Sequence, residues 1–232
     1  MEIKVIASSS KGNCYIIDDG ATQLMLEAGI SYSKLIKKVN FSKVSGVLIT
    51  HEHQDHSKSV KDLLKSGIKC FSAKETFDVL NIEKNYLVNY LIPYKISTIK
   101  TFKIMPFETQ HDAANPLGFL IKSTKTNEVL LFATDTYYIK NKFMNLNYIM
   151  IECNYAKDIL ERNLSISYTQ KSRLYKSHFE LENVKNFLKS QDLSKVKEIY
   201  LMHLSNGNSY EERFKREIQA ITGLPVYVCQ EE

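Results

Sequence analysis

Three of the six histidines of this chain fall within one hexapeptide, His51-Glu52-His53-Gln54-Asp55-His56. It follows the apolar run Val47-Leu48-Ile49, so it reads as the loop at the end of a strand. Imidazole and carboxylate together are ligands for Zn, Mn or Fe. An H-x-H pair places two imidazoles on the same side of an extended backbone, where they can share one ion. Asp55 and His56 are left to hold a second. Four ligand-type side chains in six positions fit a metal loop far better than an ordinary solvated turn. Three more candidates each follow an apolar run: His111 in Thr109-Gln110-His111, Asp135 in Thr134-Asp135-Thr136, and His203 in Met202-His203-Leu204. A strand end is a rigid place from which to aim a ligand. Glu152 also ends an apolar run, and a carboxylate buried there without a partner would be costly. His178, in a polar stretch, reads equally well as a residue at the start of a helix.

These side chains need a scaffold. Apolar runs at 3–7, 14–17, 23–26 and 46–49, then at 96–99, 102–106, 118–121, 129–133 and 148–151, predict strands. Two further strands are expected at 199–202 and 226–228. Helices are predicted over 33–39, where Leu35, Ile36 and Val39 share a face, and over 59–65, where Ser59 and Asp62 have capping-box spacing. Leu181, Val184, Phe187 and Leu188 mark an amphipathic helix. Tyr210, Phe214, Ile218 and Ile221 mark the last one, opened by Ser209 with Glu212 three residues on. The stretch 154–177 is polar and aperiodic and reads as a surface excursion of short helices. Strands and helices interleave, which gives an α/β or α+β class. No repeat or linker interrupts the chain, so a single domain over 1–232 is expected.

Composition excludes several classes. Apolar residues at 44% and charged residues at 25% are ordinary globular usage, which rules out disorder and low complexity. The longest apolar run, 129–133, falls far short of the roughly 20 residues of a membrane span. Residues 1–10 have neither a basic nor a long apolar region, so no secretory signal and a cytoplasmic location are expected. Cys14, Cys70, Cys153 and Cys229 lack C-x-x-C spacing, which excludes a zinc ribbon and predicts buried, reduced thiols. The net charge of +5 comes from 27 lysines and only four arginines, a poor supply of the residue that grips phosphate bidentately.

The segment H-x-H-x-D-H, with His111, Asp135 and His203 following in order, resembles the metallo-β-lactamase superfamily. The match narrows toward its phosphodiesterase branch, ribonuclease Z and the YycJ (WalJ) proteins. Ser10-Lys11-Gly12-Asn13, His111-Asp112-Ala113-Ala114, Ile151-Glu152-Cys153-Asn154 and Ser177-His178 before a helix carry that likeness. Phage anti-Pycsar proteins, which hydrolyse cyclic CMP and cyclic UMP, share the same core. The resemblance implies an αββα four-layer sandwich. It implies two divalent ions, zinc first and manganese second. His51, His53 and His111 would hold one, Asp55, His56 and His203 the other, with Asp135 bridging. Glu152 and His178 match the proton-donating pair, and Asp55 is a further catalytic candidate that orients the attacking hydroxide. The superfamily's first acidic residue, usually Asp, is Glu27 here and is expected to support the ligands from behind.

The implied activity is phosphodiester hydrolysis by a homodimer. The chain's compactness and few arginines favour a 3′,5′-cyclic mononucleotide as substrate, with the host cytoplasm as location for a phage gene. A YycJ-like 5′ DNA exonuclease or a ribonuclease is the alternative. A lactamase, glyoxalase or thioesterase would share the ligands but not need Glu152 and His178. A binding protein would be expected to have lost ligands. Asp112 reads as a turn residue. Tyr155, Tyr168 and Tyr175 read as packing residues, and Lys171 and Lys176 as a solvated face.

Overall fold

The computed structural model describes residues 1–230. Its backbone contacts divide into two compact units: Met1–Glu108 with Ala113–Glu128 and Gln230, and Thr109–Asp112 with Val129–Cys229.

The first unit opens with β1 (Glu2–Ser9), β2 (Gly12–Asp18), β3 (Gln23–Leu26), α1 (Tyr32–Lys38) and β4 (Val44–Leu48). It continues with α2 (Gln54–Ser57), α3 (Val60–Lys65), β5 (Cys70–Ser72), α4 (Lys74–Val79) and β6 (Val88–Tyr90). The six strands form a sheet in sequence order, antiparallel up to β3 and parallel from β3 to β6. Along β2 the run Cys14-Tyr15-Ile16-Ile17 is buried without alternation, as expected of a strand covered on both faces. On one face Cys14, Ile16, Met25, Val47 and Ile49 join a core with Leu35 of α1, Leu63 of α3 and Phe77 of α4. An antiparallel meander, β7 (Ser97–Ile99), β8 (Phe102–Glu108) and β9 (Leu117–Ser123), completes the unit. Asp19, in the turn after β2, ties to it by accepting hydrogen bonds from the hydroxyls of Thr101 and Ser123, each at 2.7 Å.

The second unit is a parallel sheet of β10 (Val129–Ala133), β11 (Tyr148–Glu152), β12 (Glu198–Met202) and β13 (Val226–Val228). Every residue of β10 and β11 is buried, which accounts for their uninterrupted apolar sequences. Helices α5 (Lys157–Arg162), α6 (Tyr168–Ser177) and α7 (Leu181–Ser190) lie between β11 and β12, and α8 (Glu211–Thr222) between β12 and β13. The register pairs Ala133 with Ile151 and Glu152 with Met202. Asp135, Glu152 and His203 therefore leave the sheet at one edge, the carboxyl ends of adjacent strands. Open parallel sheets gather their chemistry there.

Two expected caps are not made. Neither Ser59 nor Ser209 caps a helix with its side chain; the first donates to the Ile30 carbonyl and the second to that of Ser205. The capping box present is Ser167–Gln170, at the start of α6. The elements α2, β5, α4 and β6 were not expected from the apolar pattern. All four cysteines are free and buried. No helix among the described residues is long and apolar enough to cross a membrane.

Candidate metal centre

In the first unit the hexapeptide begins after β4 and winds into the single turn of α2. The His51 ring lies 4.7 Å from that of His53 and 4.3 Å from that of His56. The three imidazoles therefore cluster. The Thr50 hydroxyl sits 2.9 Å from His51 Nδ1 and fixes the ring's orientation. Asn13 reaches in from β2, its side-chain nitrogen 3.2 Å from the Asp55 carbonyl and 3.3 Å from His56 Nε2. Gly29 makes the approach possible, because a Cβ there would come 1.6 Å from the Asp55 carbonyl oxygen. The Ala28 amide donates to the His56 carbonyl at 2.8 Å.

Glu27 stands behind this cluster. It is fully buried, with Oε2 3.6 Å from His56 Nδ1 and 3.4 Å from the Thr50 amide. Burial pushes its carboxyl above the usual range, further than His56 and Thr50 draw it back. Its backbone is left-handed, with φ of 65°. Such strain in a non-glycine residue persists only where the surroundings over-determine it.

The second unit gathers its own set. Ser177, the last residue of α6, accepts a hydrogen bond from His111 Nδ1 at 2.7 Å. That bond puts the ring proton on Nδ1 and leaves Nε2 a lone pair, the state a metal ligand needs. Asp135 Oδ2 lies 3.5 Å from His111 Nε2, and Asp135 Oδ1 3.5 Å from His203 Nδ1. Both Asp135 and His203 have left-handed backbones, φ of 41° and 53°. Thr134 donates to the Asp135 carboxylate at 2.8 Å, and Asn154 donates to the His203 carbonyl at 2.8 Å. Asp135, Glu152, His178 and His203 each offer a ligand atom, and these atoms lie within 4.8 Å of one another.

Glu152 and His178 are joined by the shortest contact in the set: His178 Nδ1 donates to Glu152 Oε1 at 2.6 Å. The other carboxylate oxygen accepts from the amides of Thr136 at 2.9 Å and Phe179 at 3.1 Å. Burial alone would lower the pKa of His178, but the charge of Glu152 and this hydrogen bond outweigh it and raise the pKa to about 9.

Asp112 is not a mere turn residue. It accepts from Arg173 Nε at 2.8 Å and lies 3.4 Å from His111 Nε2, so it ties the His111 loop to α6. Arg173 carried no signal in sequence, because a surface arginine in an aperiodic stretch looks like any other. Thr50 was likewise unremarkable, although it adjoins a histidine, and Ser177 was noted only as the neighbour of His178. The donor set fits divalent metal ions: imidazoles, those of His51 and His111 oriented by a hydrogen bond at Nδ1, with the buried Asp135 carboxylate beside them and no thiol. Of the expected site residues, the first unit brings together His51, His53, Asp55 and His56, and the second His111, Asp135, Glu152, His178 and His203.

A sequence model of the beta-lactamase superfamily domain matches residues 26–203, and the chain belongs to that family. It is a mixed α/β hydrolase of the metallo-β-lactamase fold, as the motif order implied. Among characterised relatives it is similar to the exodeoxyribonuclease YycJ of Bacillus anthracis, 26% identical over 95% of this chain and 89% of that protein. Among solved structures it is similar to the metallo-β-lactamase fold protein YhfI of Bacillus subtilis, with a TM-score of 0.76 at 16% identity over 98% of this chain and 95% of that one. Human tRNase Z, short form, aligns with a TM-score of 0.66 at 13% identity over 100% of this chain and 97% of its own.

Proposed function

We propose that the chain is a single-domain, metal-dependent phosphodiesterase that hydrolyses P–O bonds at DNA ends. The observation that carries this reading is the 2.6 Å hydrogen bond between His178 and Glu152. The Glu152 carboxylate and its hydrogen bond raise the His178 pKa and so favour the protonated imidazole. Glu152 occupies Nδ1, so Nε2–H is the proton that His178 gives to the departing alkoxide. The buried carboxylate holds the ring in place and balances its charge. By the family resemblance, His51, His53, Asp55, His56, His111, Asp135 and His203 would be the residues that hold the ions. When bound, such ions supply Lewis acidity toward the phosphate and lower the pKa of a coordinated water. Zinc suits this donor set first and manganese second. Asp55 orients the attacking water.

DNA as substrate is supported by the YycJ relative, which matches along most of both chains. The proposed setting is a homodimer in the cytoplasm. A second reading, hydrolysis of 3′,5′-cyclic mononucleotides, is favoured by how the arginines are used. Arg173 is engaged by Asp112, and Arg213 by Asp158 and Glu217, so two of the four are committed within the fold.

A paired assay tests both readings. Metal-loaded protein is offered single-stranded and duplex DNA in one arm and cyclic CMP and cyclic UMP in the other, with His51→Ala and His178→Ala as controls. DNA cleavage that fades steeply with salt supports the exonuclease, because each neutralised phosphate releases counterions. Salt-insensitive turnover of cyclic nucleotides makes the second reading the correct one. No turnover in either arm by protein that retains metal overturns the phosphodiesterase reading.

A further inference from the structure

The second unit contains a cavity of about 510 Å³, within the size range of small-molecule sites. Loop 137–142, which follows Asp135, forms one wall, and α7 with Phe179 forms the other. Phe179 and Phe187 are buried, their rings 6.2 Å apart, and give the cavity an apolar floor. Tyr137 and Tyr138 remain 38% and 56% exposed, and Asn183 and Asn186 present amides from α7.

The two walls are tied to Glu152. The Thr136 amide, where loop 137–142 begins, and the Phe179 amide, in the opposite wall, both donate to Glu152 Oε2. Thr136 further secures the loop: its hydroxyl accepts from the Gln110 amide at 2.9 Å and donates to the Tyr138 carbonyl at 2.8 Å. At the far end the Phe143 amide donates to Gln191 Oε1 at 2.9 Å. The walls are thus fixed in advance of any ligand. Asn141 lines the cavity, and among the described residues its buried Oδ1 has no hydrogen-bond partner.

We propose that this cavity is a nucleobase subsite. The base lies against the Tyr138 ring, its edge meets the amides of Asn183 and Asn186, and Lys142 draws in the attached phosphate. A purely apolar ligand would leave those amides unpaired, whereas a base offers both a π-face and polar edges. Stacking tolerates any base, which suits an enzyme that acts along a sequence. The inference rests on the nucleotide phosphodiesterase reading given above and names where the base of its substrate sits.

Calorimetric titration of the full-length, metal-loaded protein tests it. The probes are dAMP, deoxyribose 5-phosphate and a trinucleotide; the proteins are the native chain, Tyr138→Ala, Tyr138→Phe and Asn186→Ala. The expected result is about tenfold tighter binding of dAMP than of the sugar phosphate, as base stacking on one aromatic ring provides. Tyr138→Ala should erase that preference, Tyr138→Phe should keep it, and Asn186→Ala should reduce it. Tighter binding of the trinucleotide than of dAMP supports the subsite as one for strand ends, and equal binding supports it as one for mononucleotides. In the hydrolysis assay Tyr138→Ala should raise KM and spare kcat. Equal affinity for dAMP and the sugar phosphate, or a preference that survives Tyr138→Ala, overturns the subsite. If phosphodiesters are cleaved while that preference is missing, the subsite alone falls. If the preference depends on Tyr138 and nothing is cleaved, the phosphodiesterase reading alone falls.

Discussion

Asp19 and Glu27 flank the four-residue strand β3, and both carboxylates are buried. Asp19 accepts from the amides of Ala21 and Thr22 and from the hydroxyls of Thr101 and Ser123, at 2.7 to 3.0 Å. Burial raises its pKa, but four donors more than compensate and hold it at about 2. Glu27 has one long amide contact and a histidine, a left-handed backbone and, among the described residues, an oxygen with no hydrogen-bond partner. Its pKa moves the other way. The same chemical group is therefore a fastening at one end of the strand and a support for His56 at the other. The difference lies in supply: donors saturate the carboxylate that ties the meander, and the one behind His56 is left short of them.

Glu152 is the instructive third case, because it is saturated like Asp19 yet holds a proton donor. Replacing its partner should give the largest effect: His178→Ala is expected to lower kcat by about 10² to 10⁴-fold, measured by steady-state hydrolysis with metal content held constant. A smaller loss would break the parallel between Glu152 and an acid-holding carboxylate. Glu27→Gln comes next. It should weaken metal binding by about 10 to 100-fold, the usual cost of losing a carboxylate behind a ligating histidine, as read by competition with a chromophoric chelator. Thermal stability of the metal-free protein should not fall, because burial already disfavours the charged form that the substitution eliminates.

Asp19→Asn should do the opposite. With the folded pKa at about 2 against an ordinary 3.8, it should cost about 2 kcal/mol of stability near neutral pH and leave metal affinity unchanged. The sign follows from the lowered pKa: the contribution is complete above about pH 4 and disappears as pH falls through 2. Urea titrations across that window should show a shallower acid decline for the variant. The smallest effect is expected of Thr101→Val, about 1 kcal/mol for loss of the hydroxyl that contacts Asp19 and Thr22. If Asp19→Asn weakens metal binding as much as Glu27→Gln does, the division between the two ends of β3 is wrong.

The ligand-type residues were legible in sequence because each follows an apolar run, and strand ends are where rigid backbone meets solvent. Glu152 was legible from cost, since a carboxylate at the end of a buried strand needs a purpose. The contrast between Asp19 and Glu27 was not. It depends on Thr101 and Ser123, which lie far along the chain and are ordinary hydroxyls until the meander brings them to Asp19. Capping failed for a related reason. Ser59 and Ser209 have the right spacing, yet tertiary carbonyls claim their hydroxyls, whereas Ser167 on an exposed helix meets no such competitor. The strands β5 and β6 were not read, although β7 and β13 are equally short; pairing with their neighbours defines them.

The buried cysteines have a practical consequence. Burial raises the pKa of all four thiols, and the thiolate is the form that is alkylated, is oxidised or captures metal. The protein can therefore be purified and stored without dithiothreitol, itself a zinc chelator. A single cysteine introduced on the surface would be the preferred point of attachment for a fluorophore, with no native thiol to remove first.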